Sequence, residues 1–594
     1  MVRRTHLAVR FQDLVLWHDP VDYLHWAIDP RAYLTLLAAS ILQGDYAPRS
    51  PVIVRSAKSR GLTRPTATPV IEDEIVYRAL IEAAAASLLR GTPEHAHFGR
   101  SQHVKGDNQQ NTENPYETWF ETFLRRQGAL RTLADRGEYV VESDVANFFL
   151  YINHDRLLKA VTERSVLGAD SVALLGHLLR AFIPSYEYSV PGPQSLVQGN
   201  HDASRLLAHV YVQALDDEFI EEGRTGRYSR WVDDLVVSVP DKIEALRTIA
   251  RIQRALEPMG LAAHPTKTRF ISKGEWELEH YPSFNEYLDR TDQRIEAGSH
   301  VREDVFLKRF KEFLKVPRTG YWGRVIRRFF TTAKGFESPV LLRYVRRLIS
   351  EEPVSARWIL NYLSVFPLTV SRVDMAFDAI EELGDIYQDV EILMVEYLLM
   401  APNKNRRALR VRLSYHARRR ISRLLRGKSR TAPYVAGLLA LLLFKGGFAS
   451  DMVFVRRWLE RRLPNVDDFA KHTLVVLGAR DGLAGVIRYF FRIHDPSVVT
   501  IHNALSAMET AAKQEYAATI DYARPIKRHR PERVTFRPRA LPCLFYLGRS
   551  DHVRARYIQW LTKTLGSLTS VSSEFRDERA IALVRECMQL ATTP

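Results

Sequence analysis

The sequence predicts an α+β first half followed by an all-helical second half. Three observations predict it. Runs rich in Val, Tyr, Phe and Trp alternate with helix-spaced apolar residues up to about residue 300. Strand-like runs mostly vanish beyond about residue 303, and the charge changes sign between the halves. The chain has 594 residues, 46% hydrophobic and 26% charged, a globular composition long enough for two or more domains.

In chain order, EYVVESDVANFF (138–149) and RYSRWVDDLVVSV (227–239) read as strands. RLLAHVYVQALDDEFIEE (205–222) carries apolar residues three and four apart and reads as one helix. Asp233 and Asp234 interrupt the second β-rich run, so that run reads as a hairpin with the Asp pair at its tip. Helical stretches then follow at short intervals: VFLKRFKEFLKV, GRVIRRFFTTA, VLLRYVRRLI, VEILMVEYLLM and VAGLLALLLF. They suggest stacked helical hairpins without a fixed period. The expected division is residues 1–300 and 301–594, with the break between about Gly298 and Val305.

Composition excludes several classes. Two cysteines, Cys543 and Cys587, cannot build a disulfide framework or a cysteine zinc site. The start, MVRRTHLAVRFQDL, has no apolar signal core. The longest apolar run, Ala432 to Phe444, is broken by Pro433 and Gly437 and is too short to span a bilayer. A cytoplasmic, membrane-free protein is the expectation. Residues 1–300 hold 34 Lys and Arg against 40 Asp and Glu, whereas 301–594 hold 51 against 29. The basic excess is therefore confined to the second half, and 12 of the 27 residues from Lys404 to Arg430 are basic with no acid among them. Such asymmetry points to nucleic acid. A second basic stretch, RPIKRHRPERVTFRPR (524–539), is interrupted by prolines and reads as a loop.

Asp144 sits at the end of an apolar strand, in ESDVANFF. If that strand lies beside the hairpin, Asp144, Asp233 and Asp234 converge where Mg²⁺ could use them, since Mg²⁺ takes one or two carboxylates together with substrate phosphates. Two such ions clamp the attacking and leaving oxygens of an in-line phosphoryl transfer.

Four segments, in order, resemble the palm motifs of reverse transcriptases. DVANFFLYINHDRLL (144–158) is similar to the first and LVQGNHDASRLLAHVYVQALD (196–216) to the second. RYSRWVDDLVV (227–237) is similar to the third and LEPMGLAAHPTKTRF (256–270) to the fourth. SRGLTRPTATPVIEDEIVYRAL (59–80) and HFGRSQH (97–103) resemble the fingers motifs more loosely. The resemblance spans roughly residues 30–275 and implies reverse-transcriptase fingers and palm, an antiparallel sheet with helices, with the palm core at about 138–275. It implies that Asp144, Asp233 and Asp234 hold two Mg²⁺ ions, for which Mn²⁺ can substitute. Phe149 matches the position that excludes a ribose 2′-OH, which favours dNTPs. Gln198, Gly199 and Ser204 would shape the nucleotide pocket, Lys267 would protonate the pyrophosphate leaving group, and Lys58, Arg60 and Arg64 would clamp the triphosphate. The second motif carries one extra residue between Gly199 and Ser204, and Trp231 replaces the usual Tyr or Phe.

A palm followed by a long helical region, without integrase, RNase H or endonuclease signatures, looks most like the abortive-infection reverse transcriptases. These are bacterial antiviral proteins of the AbiK and AbiA type, in which a helical-repeat domain replaces the thumb. The resemblance implies template-free DNA synthesis from a protein hydroxyl, a covalently attached DNA product and a homo-oligomer. Arg406, Arg407, Arg410, Arg418, Arg419, Arg420 and Arg423 are then the expected nucleic-acid surface. Two alternatives stay open: copying of a bound structured RNA, and a non-catalytic RNA-binding scaffold or maturase.

Overall fold

The computed structural model describes residues 19–21, 30–58, 61–97, 119–183, 194–199, 201–221, 227–400, 407–427, 429, 431–463, 466–490, 498–506, 526–527, 534–535, 551–570, 581, 584–585 and 588. The chain forms two compact units, one built from 34–53 and 66–280, the other from 16–33, 54–65 and 281 onward. The break therefore falls between His280 and Tyr281, not near Gly298–Val305. The reason is that the helix Pro282–Glu296 is tied into the second unit: Arg328 pairs with Asp289 and Asp292, and Thr332 donates to Asp292.

In the first part of the chain, helix α1 (Pro30–Gln43) precedes a two-stranded hairpin, β1 (Val52–Ala57) and β2 (Thr63–Thr68). Helix α2 (Ile71–Leu88) leads to the short β3 (Ala96–His97). Helix α3 (Trp119–Ala134) precedes β4 (Tyr139–Asp144), and α4 (Phe148–Tyr151), α5 (His154–Arg164) and α6 (Ala169–Ala181) follow. The expected single helix over 205–222 is two, α7 (Asp202–Tyr211) and α8 (Gln213–Glu221), because the backbone leaves helical geometry at Val212. The Asp–Asp run is the expected hairpin, β5 (Tyr228–Trp231) and β6 (Asp234–Val239). Helix α9 (Lys242–Leu256), β7 (Arg269–Ser272) and α10 (Lys273–Glu279) complete the unit.

Strands β3 to β7 form one mixed sheet in the order β3-β5-β6-β4-β7, in which only the β3–β5 pair is parallel. Alternation divides its faces. Val141, Leu235, Val237 and Val239 enter the main core with Leu206, Leu207 and Phe148. Val140 and Val236 point to the opposite face, against Leu130, Leu133 and Trp276. Both faces of the central strands are thus buried at one end, which fixes their register.

Among its described residues the second unit is helical apart from the β1–β2 hairpin tip and a two-residue ladder, Ile526–Lys527 with Val534–Thr535. That ladder lies within the stretch 524–539, which the prolines alone mark as loop. Its helices include α11 (Pro282–Glu296), α12 (Glu303–Leu314), α13 (Trp322–Gly335), α14 (Val345–Glu351), α15 (Ala356–Leu363) and α16 (Val370–Leu383). They continue as α17 (Gln388–Met400), α18 (Arg407–Arg426), α19 (Ala432–Gly446), α20 (Ala449–Arg462) and α21 (Asp468–Phe490), the last broken at Gly482. Contacts run between alternate helices, α11-α13-α15-α17-α19-α21 in one layer and α14-α16-α18-α20 in the other. This is the stacking of helical hairpins that a solenoid requires. Helix α19 is apolar all round because helices α17, α18, α20 and α21 all pack on it. A side chain at Gly437 would lie 2.8 Å from His472, so glycine permits that approach of α19 to α21. Phe306, Phe310, Phe313, Phe329 and Phe330 are fully buried in edge-to-face and tilted contacts, so the aromatic–basic stretch 309–330 is core on its aromatic side. Among the described residues no helix is long and apolar enough to cross a membrane.

Candidate active site

The site begins with strand register. Asp144, the last residue of β4, lies directly opposite Asp234, the first of β6, and Trp231 of β5 also faces Asp234. Asp144 and Asp234 therefore project from one face of two central, adjacent strands. Cross-strand neighbours of like charge repel unless a cation lies between or beside them. Lys267 supplies one such charge: its Nζ donates to Asp144 Oδ2 at 2.9 Å.

The turn between β5 and β6 is two residues, Val232 and Asp233. Val232 has φ 56°, a left-handed conformation that a β-branched residue rarely adopts. Both of its backbone polar groups are tied down: its N–H donates to His97 O at 2.9 Å, and Arg230 Nη1 donates to its carbonyl at 2.9 Å. Arg230 is itself buried and grips buried Asp216 with two donors, Nε to Oδ1 at 2.7 Å and Nη2 to Oδ2. Its Nη2 also lies 3.3 Å from His209 Nδ1. Burial, and then the Arg230 charge, hold His209 well below the usual imidazole range, so His209 stays neutral and accepts. A strained turn persists only where its surroundings over-determine it, and this one is held from two sides.

The other motif segments gather around β4. After Asp144 the strand ends, although the β-rich run continues to Phe149: Asn147 turns left-handed at φ 46° and residues 148–151 form a helical turn. The fourth motif runs alongside, with His264 N–H donating to Asp144 O at 2.6 Å and Ala146 N–H to Ala262 O at 2.9 Å. Phe148 is core, whereas Phe149 is half-buried and its carbonyl accepts from Leu196 N–H at 2.8 Å. That bond joins the Phe149 segment to the Leu196–Gln198 stretch, and Gln198 O in turn accepts from Ala67 N–H of β2 at 2.8 Å. Gly199, at φ 146°, is exposed. Ser204 is buried, 3.1 Å from Tyr77 OH, so it belongs to the contact of α7 with α2, not to an open pocket wall.

The remaining expected residues are distributed otherwise. Lys58 and Arg64 lie on the hairpin tip that belongs to the second unit, where Gln388, Asp389 and Tyr387 accept the N–H groups of Arg55, Ala57 and Gly61. Arg60, Arg406, Cys543, Cys587 and the stretch 98–103 lie outside the described residues.

On α18 the expected cationic surface is corrected. Arg420 is 2% exposed and paired with Glu391 at 2.8 Å, because it falls on the face carrying Leu413, Ala417 and Leu424. Arg418 is half-buried against Asp451, Arg423 pairs with Glu381 and Asp385, and Arg410 stacks over Phe448. Arg407, Arg419 and the ion-paired Arg423 are exposed.

Sequence reasoning gave no role to Arg230, Asp216, His209, His201 or Glu74. For Arg230 and His209 a signal existed, a charged or polar residue inside an otherwise apolar run. Carboxylate oxygens are the hard donors that Mg²⁺ prefers, so the chemistry of the donor set fits a divalent cation. Among the described residues no group of three or more His, Cys, Asp or Glu closes into a ready ligand cluster. The site therefore offers a facing pair, Asp144 and Asp234, with Asp233 adjacent in the turn. No known family matches this chain, and no curated protein matches it in sequence.

Proposed function

We propose that the chain is a Mg²⁺-dependent nucleotidyltransferase that joins dNTPs into DNA, a polymerase of reverse-transcriptase type. The observation that carries this reading is the register of Asp144 opposite Asp234 at the mouth of a rigidly held Asp–Asp turn, with Lys267 on the Asp144 carboxylate. Asp144, Asp233 and Asp234 would hold two Mg²⁺ ions, or Mn²⁺ in their place. When bound, they would supply Lewis-acid stabilisation to an in-line attack on the α-phosphate. An incomplete protein ligand set accords with Mg²⁺, which completes its shell with water and substrate phosphates.

The chain's own residues do the rest. Lys267 neutralises Asp144 and carries a proton that can pass to the departing pyrophosphate oxygen. Phe149, anchored through its carbonyl to the Leu196–Gln198 stretch, presents the ring that disfavours a 2′-OH. Arg407 and Arg419, two exposed members of the α18 set, would contact the product backbone by counterion release. The defence role, protein priming and an oligomeric state rest on the motif resemblance alone.

The test is synthesis from labelled dNTPs and Mg²⁺ with template and primer omitted, run on a denaturing gel before and after protease. Long DNA that shifts on proteolysis, and is lost in Asp233→Ala/Asp234→Ala, supports protein-primed synthesis. Activity only with a co-purifying RNA supports templated copying. Silence in both conditions leaves the scaffold reading.

A further inference from the structure

His201 stands two residues after Gly199 and three before Ser204, in the part of the second motif that carries the additional residue. It is 6% exposed. Its Nδ1 lies 3.1 Å from Glu74 Oε2 on α2, and its Nε2 lies 2.8 Å from the carbonyl of Ala67 on β2. A carbonyl only accepts, and an ionised carboxylate only accepts. A ring between the two must carry a proton on each nitrogen, so it is an imidazolium.

Placing the proton on Glu74 instead is opposed by Arg78. Burial alone would push the Glu74 carboxyl up, but attraction to His201 and Arg78 brings it below its ordinary range. Burial alone would push His201 down, and the Glu74 charge with both hydrogen bonds outweighs this and raises it. Among the described residues, the charges that act on the pair come from α2 and α7. Arg78 on α2 donates to Asp202 at 2.9 Å, and Arg205 on α7 lies 3.4 Å from the same carboxylate and opposes the imidazolium. Tyr77 faces Ser204.

The ring supports the Gln198–Gly199 segment from beneath. Ala67, whose carbonyl His201 holds, donates its own N–H to Gln198 O at 2.8 Å. A Cβ on Gly199 would lie 3.1 Å from the imidazole ring and 3.3 Å from Thr66 Cγ2, so the segment packs closely on the ring, and its φ of 146° is one that a residue with a side chain adopts only under strain. We propose that His201 is a positioning residue of the nucleotide pocket: a buried imidazolium that fixes Gln198 and Gly199 against β2 and so sets dNTP affinity. This rests on the polymerase reading.

Two measurements on the full chain test it. In the first, selectively ¹⁵N-labelled histidine rings are titrated, and the His201 signal is assigned by its absence in His201→Gln. His201 is expected to be doubly protonated at neutral pH and to titrate above the ordinary value of about 6.5. A ring titrating at or below that value overturns the proposal.

In the second, dNTP incorporation is measured against dNTP concentration between pH 6 and 9 for wild type, His201→Gln and Glu74→Gln, each checked for folding by circular dichroism. In His201→Gln the dNTP KM is expected to rise about tenfold with kcat nearly unchanged, the consequence of losing one charge-assisted buried hydrogen bond. In wild type KM should rise only as pH passes the raised His201 value. In Glu74→Gln that rise should begin at lower pH, which gives a readout should His201→Gln fail to fold. Incorporation whose KM neither variant alters removes the pocket role alone. No incorporation by wild type removes the polymerase reading and the pocket role with it, even where the ring titrates as expected.

Discussion

Replacing Arg230 by Met separates the stability of the carboxylate turn from its positioning. Arg230 is 1% and Asp216 0% exposed, and the guanidinium gives Asp216 two hydrogen bonds and Val232 O a third. Arg230→Met removes all three and strands a buried carboxylate. Breaking one side of such a pair costs about 3–5 kcal/mol, whereas replacing both partners by apolar residues of similar size is often neutral. The double variant Arg230→Met/Asp216→Leu should therefore return most of the lost stability, to within about 1–2 kcal/mol of wild type. It does not return the bond to Val232, whose left-handed backbone holds strain of about 1–3 kcal/mol that nothing then opposes on the carbonyl side. Urea unfolding followed by tryptophan fluorescence reads the first quantity, since Trp231 lies in β5 and Trp276 of α10 packs against the sheet. Nucleotide incorporation reads the second: the double variant should be stable and inactive. A double variant as unstable as the single one would refute the burial argument, and a double variant with wild-type activity would refute the positioning role.

The His201–Glu74 pair also gives stability a pH window. A raised His201 contributes fully below about 6.5 and loses its contribution as pH rises through its raised value, whereas Glu74, lowered from 4.5, loses its contribution as pH falls through that lowered value. Thermal midpoints from pH 6 to 9 should fall further for wild type than for His201→Gln, and parallel curves would count against the ionised pair. On α18, Arg420→Ala should destabilise the helical unit by about 3–5 kcal/mol by stranding Glu391, while Arg419→Ala leaves stability within about 0.5 kcal/mol and weakens DNA binding with a shallower salt dependence. Denaturant unfolding and salt-titrated DNA binding of the two variants check this. Burial raises Asp389 to about 6, and its carboxylate accepts the Ala57 N–H at 3.0 Å. Hydrogen exchange at Ala57, corrected for its intrinsic pH dependence, should accelerate as pH drops below about 6 in wild type, and Asp389→Asn should remove that step.

Much of the site was legible because its signals are local. The Val, Tyr and Trp runs announced β4, β5 and β6, and an Asp pair inside one of them announced a turn. Asp144 does end its strand, but the β-rich run continues past it: Phe148 and Phe149 have strand propensity, and the left-handed Asn147 breaks the ladder before them. The basic run on α18 looked like one cationic surface, although its helical phase already set Arg420 with Leu413, Ala417 and Leu424. His201 gave no such signal, since its two partners lie 127 and 134 residues away in sequence. Glu74 stood among helix-opening acids, where a carboxylate is ordinary. Long-range pairing of this kind is a property of the folded chain.

The most direct test of the central claim is incorporation of labelled dNTPs by the purified full-length protein as Mg²⁺ is titrated, beside Asp144→Asn and Asp234→Asn, with co-purifying RNA retained in a parallel sample. The account predicts Mg²⁺-dependent incorporation in the wild type and a loss of at least a hundredfold in each variant, while both variants keep the wild-type fold by circular dichroism. Incorporation that survives in folded Asp144→Asn and Asp234→Asn, or none in wild type under either condition, would contradict it.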